Sequence, residues 1–230
     1  MQIRRLSETV GDSHRLLIHG PSGVGKTRLI QTLAEPETDA APVVSDASRI
    51  LIVSAERGLL SIAGLDASVV EVSSSTDRIA LFSEVLKAAR AGEFSAVAVD
   101  SITEIGNMSL AAAQAETRDG RAAYGEMMSE IMRIYRGLRM MPVTLYVIAQ
   151  SFHDDGEWHP MMPGSKVGPA LTYEYDVSMF LRVVDADSGP TREIITGRTG
   201  GIEAKDRSGK LALAEPPCLS HIIRKIRGDR

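Results

Sequence analysis

Eight consecutive residues, Gly20 to Thr27, read GPSGVGKT. In a G-x-x-x-x-G-K-T spacing, glycines let successive backbone N–H groups converge on phosphate oxygens without Cβ clashes. Gly20, Pro21, Ser22, Gly23, Val24 and Gly25 supply such a loop, and Arg28 follows it closely enough to reach a bound nucleotide. Lys26 brings an ammonium for β- and γ-phosphate oxygens, and Thr27 brings a hydroxyl for Mg²⁺. The chemistry these residues suit is the capture of a nucleoside triphosphate, ATP with Mg²⁺.

Transfer of a phosphoryl group to water also needs a metal anchor and a group that orients the water. Asp100 ends the apolar run FSAVAVD. A carboxylate at the C-terminal end of a central strand faces the crevice where nucleotides bind in open α/β sheets. Asp100 is therefore the expected Mg²⁺ anchor, acting through water; the alternative is a cap on the helix that follows. Glu56 ends ILIVSAE and is the candidate general base, the alternative being a solvated pair with Arg57. Gln150 ends LYVIAQ, where an amide can bond the γ-phosphate or the attacking water; the alternative is a satisfied strand-end amide.

The elements that position these groups are legible as hydrophobic runs. Residues 15–19, 50–54, 96–99 and 143–149 read as strands. Runs without alternation suit strands buried on both faces of a parallel sheet. Residues 69–72 give a weaker strand. Residues 25–34, 77–90, 102–115 and 125–140 read as helices, with Met128, Ile131, Met132, Tyr135 and Leu138 on one face of the last. Residues 151–165 form a long polar loop, and DADSGP between two late apolar runs is a hairpin signature. The expected fold is a three-layer α/β/α sandwich, mostly parallel, with antiparallel strands at its C-terminal end. The expected organisation is an N-terminal extension over residues 1–13, a core over 14–213 and a basic tail over 214–230. That tail is either a DNA-touching segment or a solubilising end.

The strand-end residues taken together resemble the RecA-like ATPases: GPSGVGKT, then SAE at 56, VAVDS at 100–101 and VIAQS at 150–151. The resemblance implies that Glu56 activates water, that Asp100 and Ser101 form the Mg²⁺ end of Walker B, and that Gln150 links nucleotide state to a DNA-binding loop. Lys205 and Arg207 in IEAKDRSG resemble the trans-acting fingers of hexameric helicases. Such fingers reach the γ-phosphate held by a neighbouring subunit; the alternative is a charged surface turn. The layout is also similar to small phage-encoded RecA-like proteins of single-strand annealing and recombination. This implies a homo-oligomer, a ring or short filament, with ATP between subunits. It also implies single-stranded DNA as substrate and a single-strand-binding protein as a further partner. The loops implied to hold DNA carry Arg118 and Arg121 in one case, and His153, Trp158, His159 and Lys166 in the other. The second loop also carries Asp154, Asp155 and Glu157, which repel phosphate.

Composition narrows the alternatives. With 43% apolar and 24% charged residues, the 230-residue chain can bury a core. A net charge of −4 argues against a whole basic face, so any nucleic-acid contact is local. A single cysteine excludes a disulfide framework and a multi-thiolate zinc site. The longest strongly apolar stretch, 140–149, is far shorter than a membrane span, so the expectation is a cytoplasmic protein without membrane contact. Two other functions fit the same motifs: a nucleotide-dependent protein–protein switch without DNA, and a small-molecule kinase. The second is disfavoured by the lack of an arginine-rich lid.

Overall fold

The computed structural model describes residues 13–164, 172–187 and 189–229. A nine-stranded sheet runs through the molecule in the order β11-β9-β8-β1-β5-β4-β2-β3, with β10 pairing β8 beside this path. The strands are β1 (Arg15–His19), β2 (Ile50–Ser54), β3 (Ser68–Glu71), β4 (Ala96–Asp100), β5 (Thr144–Ile148), β8 (Val177–Ala186), β9 (Gly189–Ile195), β10 (Lys205–Asp206) and β11 (Ala214–Glu215). From β3 to β8 every pairing is parallel, and β9, β10 and β11 are antiparallel. This is the mostly parallel α/β arrangement, with antiparallel strands at its C-terminal end, expected from the strand runs.

Both sheet faces are covered, which explains the unbroken apolar strands. In β1, Leu17 joins one core cluster while Leu16 and Ile18 join the other. The first cluster lies under α1 (Arg78–Ala91), α2 (Ile102–Glu116) and α3 (Gly120–Arg139). The second lies under a short helical segment after the phosphate loop and under α4 (Leu219–Arg227). Helix ends follow their local chemistry. The Asp77 side chain accepts from Ala80 N to start α1, and Gly92, at φ 79°, ends it. A partly buried ion pair, Arg78 to Glu130 at 2.7 Å, ties α1 to α3, and the Ser109 hydroxyl on α2 donates to the same carboxylate.

Four expectations need correction. The helix expected over residues 25–34 is a seven-residue 3₁₀ segment, Thr27–Leu33. The Thr32 hydroxyl donates to the Leu29 carbonyl at 2.7 Å, and Leu29 N is shared between the Gly25 and Lys26 carbonyls. Both favour the tighter turn. Helix α3 begins five residues before the expected start, capped by Asp119, which accepts from Arg121 N. Its buried face runs through Ala123, Met127, Ile131, Ile134, Tyr135 and Leu138, and Met128 and Met132 only flank it. The polar stretch after Gln150 is an antiparallel hairpin, β6 (Ser151–Asp154) with β7 (Glu157–Pro160). Asp155 at φ 45° and Gly156 at φ 79° form its turn. An Asp-Gly turn with both φ positive matches the twist of a two-residue hairpin.

The fourth correction concerns the last segment. Residues 214–229 are integral: Cys218, Leu219, Ile222 and Ile223 are 0% exposed. Its basic residues are partly spent internally, since Lys225 and His221 both bond Glu215, at 2.5 and 3.0 Å. Burial alone would raise the Glu215 pKa, but these bonds and the Ala212 N–H outweigh it and hold the group ionised.

Candidate active site

Parallel register brings three strand ends to one edge. Ser54 is opposite Asp100, and Asp100 is opposite Ile148. Glu56 and Gln150 each follow two residues later, and the phosphate loop leaves β1 at that same edge through its pairing with β5. Ser22, Gly23, Gly25, Lys26, Thr27, Glu56, Asp100 and Gln150 accordingly line one cleft of about 400 Å³, a size that accepts a nucleotide phosphate tail. Gly20 has φ 154°, and a β-carbon there would lie 2.4 Å from the Leu181 carbonyl oxygen, so only glycine fits.

The groups are wired to one another. Thr27 Oγ1 donates to Asp100 Oδ2 at 2.6 Å. Two adjacent hard oxygen donors fit Mg²⁺, which prefers a few protein oxygens and keeps several waters. The helix after Asp100 is capped by Ser101 rather than by Asp100, leaving that carboxylate for the cleft. Glu56 Oε1 accepts from the Ser101 hydroxyl and from Gln150 Nε2, the latter at 2.9 Å. Arg57 instead faces Glu71 at 3.7 Å, so the pairing of Glu56 with Arg57 is not formed. Lys26 Nζ donates to the Gly20 and Pro21 carbonyls at 2.8 and 2.9 Å, contacts it must exchange for phosphate oxygens. Burial lowers the Lys26 pKa, against the opposing pull of Glu56 and Asp100. Burial raises the Asp100 pKa, against the hydrogen bond from Thr27.

Several sequence-derived candidates lie elsewhere. The Arg28 side chain pairs with Glu37 at 2.9 Å and is not among the cleft residues. Pro21 and Val24 instead line a second cavity, of about 470 Å³, with Trp158, Phe180, Arg182, Val183 and Ile202. With only a 3₁₀ segment behind it, the loop relies on its amides and Lys26 more than on an α-helix dipole.

Lys205 and Arg207 do not approach the cleft of their own chain. Lys205 is in register with Ser178, which is opposite Leu17, two residues before the end of β1. Their side chains donate to the Thr172 and Tyr173 carbonyls, Arg207 at 2.5 Å.

Arg118 and Arg121 are exposed where α2 gives way to α3. The break there is short, because Arg121 already belongs to α3. Trp158 is half-buried against Phe180, with ring centres 5.7 Å apart, and His153 lies 5.0 Å from its ring. His159 Nδ1 donates to the Glu203 carboxylate at 2.7 Å. Lys166 lies outside the described residues. Among the described residues no group of three or more His, Cys, Asp or Glu is gathered for a metal.

Sequence reasoning missed the supports of the loop. His19 is fully buried at the end of β1; its Nε2 meets the Glu203 carbonyl at 2.7 Å and its Nδ1 meets Ser151 Oγ at 2.9 Å. A carbonyl can only accept, so the proton sits on Nε2 and the Ser151 hydroxyl donates to Nδ1. Burial, first of all, lowers the His19 pKa to about 4, so the ring is neutral at pH 7. Tyr146 donates to the Lys26 carbonyl at 3.0 Å, and Arg192 Nε donates to the Val24 carbonyl at 2.8 Å. A buried tyrosine in a strand signals a hydroxyl in need of a partner. For His19 and Arg192 no local pattern exists, because their partners are more than a hundred residues away.

No curated protein matches the chain. Among solved structures, a KaiC-like protein from the hyperthermophilic archaeon Pyrococcus horikoshii is similar over 79% of this chain and 77% of its own, with 15% identity and a TM-score of 0.44. A family model described as an AAA domain matches residues 12–208. With the phosphate loop, the two acids and the strand-end glutamine all inside that span, the chain belongs to this AAA domain family of P-loop ATPases.

Proposed function

We propose that this protein is a Mg²⁺-dependent ATPase of RecA-like type whose site is completed by a neighbouring copy. The observation that carries the reading is the Glu56 carboxylate held by Gln150 and Ser101 in the cleft that Lys26, Thr27 and Asp100 also line. Loop amides and Lys26 hold the phosphates. Thr27 and Asp100 would hold Mg²⁺, which would supply positive charge to the phosphate oxygens. Glu56 orients the attacking water and takes its proton, and Gln150 fixes the Glu56 rotamer. The cis site offers one ammonium for the developing charge, and neither Lys205 on β10 nor Arg207 just after it lines the cleft of its own chain. Lys205 and Arg207 therefore act in trans, each giving up a main-chain carbonyl.

The test is Glu56→Ala. Turnover should fall at least about a hundredfold while nucleotide affinity is kept, as for loss of a general base. A variant that still hydrolyses ATP at the wild-type rate removes Glu56 from this role.

For the effector, single-stranded DNA of recombination or annealing rests on the family likeness and on exposed Arg118 and Arg121. The acidic hairpin tip, Asp154, Asp155 and Glu157, and the packing of Trp158 into the fold support the second reading, a nucleotide-dependent protein switch. Turnover measured with and without single-stranded oligonucleotide at low salt separates them: stimulation supports DNA, and its absence supports the switch.

A further inference from the structure

Arg192 lies on β9 opposite Val183, outside every motif in the chain. Its Nε donates to the Val24 carbonyl at 2.8 Å, across 168 residues of sequence. Its neighbour Glu193 is already held by Arg182 at 2.6 Å, and among the described residues no carboxylate pairs with Arg192. The guanidinium thus spends its directed bond on one loop carbonyl.

That carbonyl belongs to a trans peptide, since the cis bond of the described chain is at Asp100–Ser101. In a planar trans peptide the C=O and the following N–H point to opposite sides. Val24 lines the cavity on the Trp158 side, and Gly25 lines the phosphate cleft. With the Val24 carbonyl held toward Arg192, the Gly25 N–H points away from it, and Gly25 is a residue of the phosphate cleft.

A clamp is needed because Gly25, at φ 106°, has the freedom to let this peptide flip at little cost. The close fit agrees: a β-carbon on Gly25 would lie 3.3 Å from Arg192 Nε. A charged donor on the carbonyl also polarises the peptide and strengthens its N–H as a donor.

We propose that Arg192 is a positioning residue for nucleotide binding, which locks the Val24–Gly25 peptide so that the Gly25 N–H donates to a phosphate oxygen. This rests on the nucleotide-binding reading above. The contact is made in the ground state and persists through transfer, so its loss raises KM and leaves kcat near its wild-type value.

The experiment compares wild type, Arg192→Ala, Arg192→Gln and Arg192→Lys. Each is measured by titration calorimetry with Mg-ADP and Mg-ATP, by steady-state turnover and by nucleotide-free melting. Expected is a ten- to hundredfold loss of affinity in Arg192→Ala, about the scale of a charge-assisted hydrogen bond. It should be similar for both nucleotides, with an unchanged free melting temperature and most affinity recovered in Arg192→Lys. Arg192→Gln, which keeps a neutral donor, should fall between and serves if the alanine variant does not fold. Wild-type affinity in Arg192→Ala or Arg192→Gln overturns the proposal. So does an affinity loss matched by a drop in free melting temperature and not recovered by lysine, which would make Arg192 a pin for the hairpin alone. If wild type binds neither nucleotide, the nucleotide reading itself fails, a result distinct from both.

Discussion

Asp100 shows what the cleft costs the fold. It is 2% exposed, and burial holds its pKa above the ordinary carboxylate value. The folded state thus favours the protonated acid, and this contribution to stability is lost as pH rises through the folded pKa. At neutral pH the ionised group opposes folding, as active-site groups commonly do. Asp100→Asn should therefore melt higher than wild type without nucleotide. It should also lose the upward shift that Mg-ATP gives wild type, about 2.7 kcal/mol at a hundredfold excess over Kd. Differential scanning calorimetry reads both; a variant melting below wild type would contradict the burial argument. At this scale the sequence pointed to Lys26 and Thr27 through the glycine-loop spacing, and to Glu56, Asp100 and Gln150 because each ends an apolar run. It misjudged Arg28, whose partner Glu37 lies on a segment without periodic pattern.

Between residue and molecule stand β1, the loop it feeds and the hairpin after β5, joined through His19. The ring must stay neutral to accept from Ser151 while donating to the Glu203 carbonyl. Its pKa is depressed to about 4, so its contribution is complete above the unfolded value near 6.5 and is lost as pH falls from there toward 4. The full effect is about 3 kcal/mol. Melting temperature followed from pH 7.5 to 4.5 should drop more steeply for wild type than for His19→Gln; parallel curves would mean that another group governs acid unfolding. The hairpin itself was readable. Asp155-Gly156 is a strong two-residue turn signal, but the carboxylates around it look like loop composition, and charge masked the turn chemistry. The α3 start was hidden for a similar reason, since Asp119 capping was overshadowed by the polar Glu116 to Arg121 stretch.

At the scale of the molecule, the mostly parallel character of the sheet followed from the buried runs, whereas the strand order and the place of β10 did not. Two residues pairing with β8 leave no periodicity to read. Their position sets the assembly prediction. A Lys205→Ala/Arg207→Ala double variant and a Glu56→Gln variant should each be nearly inactive alone, yet recover turnover when mixed. Intact fingers from one would then meet the intact base of the other. Mixtures that stay inactive, at protein concentrations where wild type works, would place the finger role elsewhere. The second cavity has a practical consequence. Trp158 is the only tryptophan in the chain and shares that cavity's wall with Ser22, Gly23 and Val24. Its emission should therefore respond to movement of the loop, and a fluorescence change on adding Mg-ATP to unlabelled protein would follow filling and emptying of the cleft in real time.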